Sequence, residues 1–206
     1  MRFPLNTWYA VVGSNTTFSN HDATTLRPGF LAGIGRNYYL SDGIYLQGEG
    51  ILNQRRFLLP EQRIRYYTSG RTEVRLTEIN FSVIYVDVAL LAKIRAVSNK
   101  DTRLSFAIGP ALSIPILDKT SYNVVAKENV ESGARVPYDF SYNGYEPDAA
   151  SPVVGVVAAV ELEASKLLLK VSLNRALHTS NQIFPLQNEI RLQTFMLSLG
   201  YRLTKR

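Results

Sequence analysis

Residues 80–97 read NFSVIYVDVALLAKIRAV, residues 98–101 SNKD, and residues 102–116 TRLSFAIGPALSIPI. In the first limb Ile84, Val86, Val88, Leu90, Ala92 and Ile94 form one alternate row. Tyr85, Asp87, Ala89, Leu91, Lys93 and Arg95 form the other, which carries all three charges. The second limb repeats the pattern, with Leu104, Phe106, Ile108, Leu112, Ile114 and Ile116 against Ser105, Ala107, Gly109, Ala111 and Ser113. A period of two sustained this long marks β-strands with unlike faces. Ser98-Asn99-Lys100-Asp101 is a tight polar turn, so the limbs form a long antiparallel hairpin. The large residues lie on the uniform face and the small and polar ones on the other. That suits a narrow interior, with lipid covering the apolar rows.

The same alternation recurs along the chain. Strands are expected at Leu5–Gly13, Pro28–Leu40, Ile44–Phe57, the two limbs of the hairpin, Val153–Glu163, Lys166–Arg175 and Arg191–Leu203. Their connections alternate in length: short at 41–43, 98–101 and 164–165, long at 14–27, 58–78, 118–151 and 177–190. An up-and-down meander puts all short connections at one end. The expected fold is therefore all-β: a single domain over residues 1–206, forming an eight-stranded antiparallel transmembrane barrel with short periplasmic turns and long extracellular loops. The inner rows carry Glu49, Arg55, Asp87, Lys93, Arg95, Glu161, Glu163, Lys170 and Arg202. Eight strands leave an interior just wide enough for side chains, so these charges are expected to pair as an interior network.

Composition narrows the chemistry. With no cysteine and only His21 and His178, thiolate nucleophiles, disulfides and Cys- or His-rich metal sites are excluded. His21-Asp22 has no metal-ligand partners nearby, and Gly29, Gly33 and Gly35 precede no helix, so no phosphate loop is formed. No cofactor is expected. The net charge of +6 is dispersed, which argues against nucleic acid as a partner. No apolar run approaches the ~18 residues of a transmembrane helix. No leader peptide is visible before the first strand, so the chain reads as a mature exported form. Tyr38-Tyr39, Tyr66-Tyr67, Tyr142 and Tyr145, among twelve tyrosines, read as an interfacial girdle.

Three stretches are similar to a known family. Residues 85–94, Tyr-Val-Asp-Val-Ala-Leu-Leu-Ala-Lys-Ile, resemble the Tyr-Leu-Glu-Ile-Pro-Leu-Leu-Leu-Lys-Tyr segment of the PorT-like outer-membrane β-barrel family of Bacteroidota, whose barrels are OmpA/OmpX-like. Gly109-Pro110 and the closing LSLGYRL of residues 197–203 resemble its next and last strands. Asp87 stands for the usual Glu and Ala89 for the usual Pro, and Thr204-Lys205-Arg206 replaces an aromatic terminus. The resemblance implies an outer-membrane protein without enzymatic activity, surrounded by outer-membrane lipid and lipopolysaccharide. It also implies a protein partner in an envelope or type IX-like secretion complex.

Two rival readings have distinct signatures. His178-Thr179-Ser180-Asn181 with Glu189 resembles the His-x-Ser-Asn…Glu arrangement of lipid A deacylase barrels, which implies His178 as base, Ser180 as nucleophile and Glu189 as orienting carboxylate. Its alternative is a polar loop with an incidental histidine. A soluble lipocalin-like carrier would share the strand order but reverse the faces, with large apolar residues inside.

Overall fold

The computed structural model describes residues 6–19, 25–68, 70–99, 102–129, 135–136, 140–142, 152–177 and 192–203. Among these residues the strands are β1 (Asn6–Ser19), β2 (Thr25–Ser41), β3 (Ile44–Thr68), β4 (Gly70–Ser98), β5 (Thr102–Asn129), β6 (Arg135–Val136), β7 (Phe140–Tyr142), β8 (Val153–Ala164), β9 (Leu167–Ala176) and β10 (Leu192–Arg202). Every pairing is antiparallel. The order β1-β2-β3-β4-β5-β8-β9-β10 closes on itself through Tyr9↔Arg202 to Ser19↔Leu192. This is the expected eight-stranded barrel, and β6 and β7 are short additions paired to the far part of β5.

The registers fix its shape. From Thr16 the partners run Phe195, Leu173, Ala158, Ile108, Ala92, Leu46, Tyr38 and then Asn6, so one circuit returns to β1 ten residues away. With ~3.3 Å per residue and ~4.8 Å between strands, that stagger tilts the strands by about 40° and gives a backbone radius of about 8 Å.

Local chemistry sets the short turns. Gly43 has φ 77°, a left-handed conformation suited to glycine, and Asp42-Gly43 joins β2 to β3. Asn99 N–H bonds the Thr102 carbonyl at 2.8 Å to close the β4–β5 turn. β8 and β9 turn at Ser165-Lys166.

The faces are inverted relative to a soluble barrel. Thirty-two large apolar or aromatic side chains are exposed among the described residues, including Ile108 at 58% and Leu199 at 63%. Inward rows hold alanines, glycines and polar groups; Gln47, Asn53 and Glu161 are fully buried. That arrangement opposes the soluble-carrier reading, which needs an apolar cavity inside and a polar exterior. Such a wall is stable only in an apolar solvent.

Three of the four expected long connections are in part strand. β1 extends to Ser19 and β2 begins at Thr25, within the expected loop 14–27. The expected loop 58–78 is a continuation of the β3–β4 hairpin, paired from Leu58↔Asn80 to Thr68↔Gly70. Within 118–151, β5 runs on to Asn129 and pairs with β4 up to Thr72↔Asn129. The fourth expected connection, 177–190, begins at its expected place, since β9 ends at Ala176. The misplacements share a cause. Above the apolar band both faces of a strand meet polar surroundings, so the contrast that reveals a period of two disappears. The backbone pairing continues regardless, because each N–H and C=O still needs a partner.

Candidate functional site

The barrel interior is the principal candidate site. Along β3 the inward residues run Gln47, Glu49, Ile51, Asn53 and Arg55 away from the short turn. Along β4 they run Lys93, Leu91, Ala89 and Asp87 in the same sense. Charges therefore occupy two levels, with an apolar layer between.

The core of the lower level is built from five strands. Lys170 Nζ on β9 donates to Glu49 Oε1 on β3 at 2.5 Å, and it lies 3.3 Å from Glu161 Oε1 on β8. Lys93 Nζ on β4 donates to Glu161 Oε2 at 2.5 Å and Glu163 Oε1 at 2.8 Å. Gln47 Nε2 donates to Glu161 Oε1 at 2.7 Å and to the Tyr9 hydroxyl at 2.5 Å. That hydroxyl donates to Glu49 Oε1 at 2.5 Å. Towards the short-turn mouth, Arg202 pairs with Glu163, Arg103 Nη1 lies 3.8 Å from Glu163 Oε2, and Arg95 meets the Tyr45 hydroxyl.

The upper level is one ion pair with polar support. Arg55 Nη2 donates to both Asp87 oxygens at 2.8 Å and to Ser113 Oγ at 2.9 Å, and its guanidinium lies 4.4 Å from the Tyr85 ring. Asn53 Nδ2 donates to Asp87 Oδ2 at 2.8 Å, and Asn15 Nδ2 to Asn53 Oδ1 at 2.6 Å. Between the levels lie Leu31, Ile51 and Met196 on one side and Ala89, Leu91, Val157 and Ala159 on the other.

Of the nine charged residues placed inside from sequence, Glu49, Lys93, Arg95, Glu161, Glu163, Lys170 and Arg202 lie in the lower level. Arg55 and Asp87 lie in the upper. Sequence reasoning put Ser113 on an inner row but gave no part in the network to the neutral residues that connect the charges: Tyr9, Gln47, Asn15, Asn53 and Ser113. Gln47 and Asn53 share the row of Glu49, so parity places them inside but does not say which charges they join. Tyr9 had a second signal in Gly35. A Cβ at Gly35 would lie 2.1 Å from Tyr9 Cζ, so that glycine makes room for the ring.

Each amine and guanidinium of these levels faces a carboxylate or a hydroxyl, Glu161 and Glu163 have both oxygens engaged by cations, and Glu49 has Oε1 engaged by Lys170. A cavity of about 20 Å³ beside Thr7, Asn37, Tyr45, Arg95 and Glu163 has room for one water and no solute. The arrangement can stitch opposite walls together and obstruct passage. Among the described residues no group of three His, Cys, Asp or Glu side chains is placed to hold a metal. His178, Ser180 and Glu189 lie outside the described residues.

A closed antiparallel barrel with an apolar exterior and a polar, filled interior is a transmembrane barrel of the outer-membrane class. Residues 6–182 match the family described as outer membrane protein beta-barrel domain, and the chain belongs to that family. It is an outer-membrane protein. Solved structures with similar architecture include the attachment invasion locus protein Ail of Yersinia pestis, at 13% identity, with 96% of this chain and 98% of that chain covered and a TM-score of 0.42. OprG of Pseudomonas aeruginosa is 9% identical over 97% and 96% of the chains, with a TM-score of 0.45. Neisserial surface protein A is 9% identical over 94% and 96%, with a TM-score of 0.42. No curated protein has significant sequence similarity to the chain.

Proposed function

We propose that the protein is a non-enzymatic, non-conducting barrel that anchors a projecting β-sheet in the outer membrane and presents it to a protein partner. The observation that carries this reading is the mismatch in strand length around the ring. Among the described residues β2 supports β3 up to Thr25↔Leu58, whereas β3 and β4 stay paired to Thr68↔Gly70 and β5 follows to Asn129. Three strands thus continue past the wall while the lumen is filled by ion pairs. The short turns face the periplasm and the sheet faces outwards, with outer-membrane lipid and lipopolysaccharide around the wall. The partner is a component of the cell envelope, and the family resemblance favours a type IX-like secretion assembly.

The test is to replace residues 60–78 by Asn-Gly, which joins the cross-strand partners Leu59 and Ile79 in a two-residue turn. Crosslinking in intact cells followed by affinity purification should recover an envelope protein with the full chain and lose it with the shortened one. Recovery of the same partner by both forms would refute the reading. So would stepwise conductance of the full chain in planar bilayers.

A further inference from the structure

Arg36 is a cation on the wrong side of the wall. It is the cross-strand partner of Trp8 on β1 and Gly48 on β3, and its neighbours along the outward row are Ile34 and Tyr38, which are 53% and 39% exposed. Arginine on a lipid-facing strand is disfavoured except near an interface. Arg36 lies in the lower part of the apolar band, six residues before the Asp42-Gly43 turn, with Tyr38, Leu40 and Ile44 exposed between it and the rim, and its guanidinium reaches towards the Tyr38 ring on the rim side. It lies 4.6 Å from the Tyr38 ring centroid and 5.1 Å from that of Trp8. These two rings hold its position. Its Nε is buried without a hydrogen-bond partner, and no carboxylate pairs with it among the described residues.

The wall beside it is bare. A Cβ at Gly48 or at Gly50 would meet nothing within 4 Å. Both glycines lie on the outward row of β3, where β-branched or aromatic residues would favour the strand. Steric crowding does not require them, so their effect is to leave a shallow floor next to the guanidinium. Arginine suits phosphate oxygens because its donors form a planar fork, and the floor accommodates the glycerol backbone and the start of an acyl chain.

We propose that Arg36, clamped by Trp8 and Tyr38 beside the Gly48–Gly50 floor, binds the phosphate of a membrane glycerophospholipid. The membrane location and the site geometry carry the phosphate assignment. The choice of phospholipid over lipid A rests on the proposed orientation, which puts this rim in the inner leaflet.

The experiment uses the full chain, refolded in detergent and incubated with phosphatidylglycerol, with diacylglycerol of the same acyl chains, or with lipid A. Bound lipid is counted by native mass spectrometry. The wild type should retain phosphatidylglycerol and not diacylglycerol. Arg36→Gln should reduce the bound population about tenfold, and Arg36→Lys should fall between. Gly48→Val fills the floor without a clash, so it should reduce retention while leaving the urea midpoint unchanged or raised. That pairing separates a lipid site from a structural role. Equal retention of diacylglycerol, or unchanged retention by Arg36→Gln, would overturn the site. Arg36-dependent retention of lipid A in place of phosphatidylglycerol would overturn the phospholipid assignment and the orientation together, while leaving the phosphate chemistry standing.

Discussion

The upper and lower charge levels should respond differently to loss of a single carboxylate. Asp87→Asn keeps the shape of the side chain and removes its charge. Arg55, whose side chain is 3% exposed, then loses the carboxylate that takes two bonds at 2.8 Å and keeps Ser113 and the Tyr85 ring. Leaving a buried charge without its partner costs about 3–5 kcal/mol. The retained amide oxygen and ring place Asp87→Asn near the lower figure, about 3 kcal/mol. Glu161→Gln removes a charge from two lysines at once. Lys93 still holds Glu163 at 2.8 Å, and Lys170 still holds Glu49 at 2.5 Å, so the loss should be about 1–2 kcal/mol. The double variant Arg55→Met/Asp87→Leu removes both upper charges. It should recover most of the Asp87→Asn loss, less about 1 kcal/mol for the stranded Asn53 amide. Urea unfolding in detergent provides the assay. Trp8 is the sole tryptophan and sits at the rim, so its fluorescence reports the barrel wall. With m near 1–3 kcal/mol/M the Asp87→Asn midpoint should fall by roughly 1–3 M. A drop no larger than that of Glu161→Gln, or a double variant weaker than Asp87→Asn, would refute a dry, locally paired upper level.

Further expectations follow from the wall and the turns. Ile108→Arg, at mid-wall facing lipid, should cost about 2–4 kcal/mol, whereas Leu203→Arg at the rim should cost about 0–1 kcal/mol; equal effects in refolding titrations would argue against the assigned membrane band. Gly35→Ala should destabilise by about 1–3 kcal/mol through collision with the Tyr9 ring, and in a Tyr9→Val background the same Gly35→Ala change should cost little in urea unfolding. Because the chain has no cysteine, Thr68→Cys and Asp42→Cys are clean reporters of orientation. A membrane-impermeant maleimide should label the first in intact cells and the second only after lysis.

The fold was legible because a period of two reports directly on which face meets lipid. The rows of residues 84–95 and 104–116 assigned both strands to the wall and placed Asp87 and Lys93 inside, and the structure buries both. The projecting sheet was not legible. At 61–67 the cross-strand partners include Arg63↔Arg75 and Arg65↔Glu73, so the row that continues the inner face is charged and gives no amphipathic contrast. Arg36 was hidden for a related reason. A single cation among apolar neighbours looks like an ordinary interruption of the pattern until the rings of Trp8 and Tyr38 are seen to hold it.

The partners within the interior were illegible for a different reason, which lies in closure. At a radius of about 8 Å, a lysine or glutamate spans most of the distance to the axis. Side chains from non-adjacent strands therefore meet, as Lys170 on β9 meets Glu49 on β3 and Gln47 on β3 meets Glu161 on β8. Which pair meets depends on height, and height depends on the stagger accumulated through eight registers. A one-residue change at any seam would move every row on one side to the other face and separate charges from partners across the lumen. The ion pairs thus reinforce the register that creates them. Local pattern specifies the faces, whereas the network favours one closed arrangement among the staggers those faces would permit. Its removal should be felt in the uniqueness of the barrel's closure as well as in its stability.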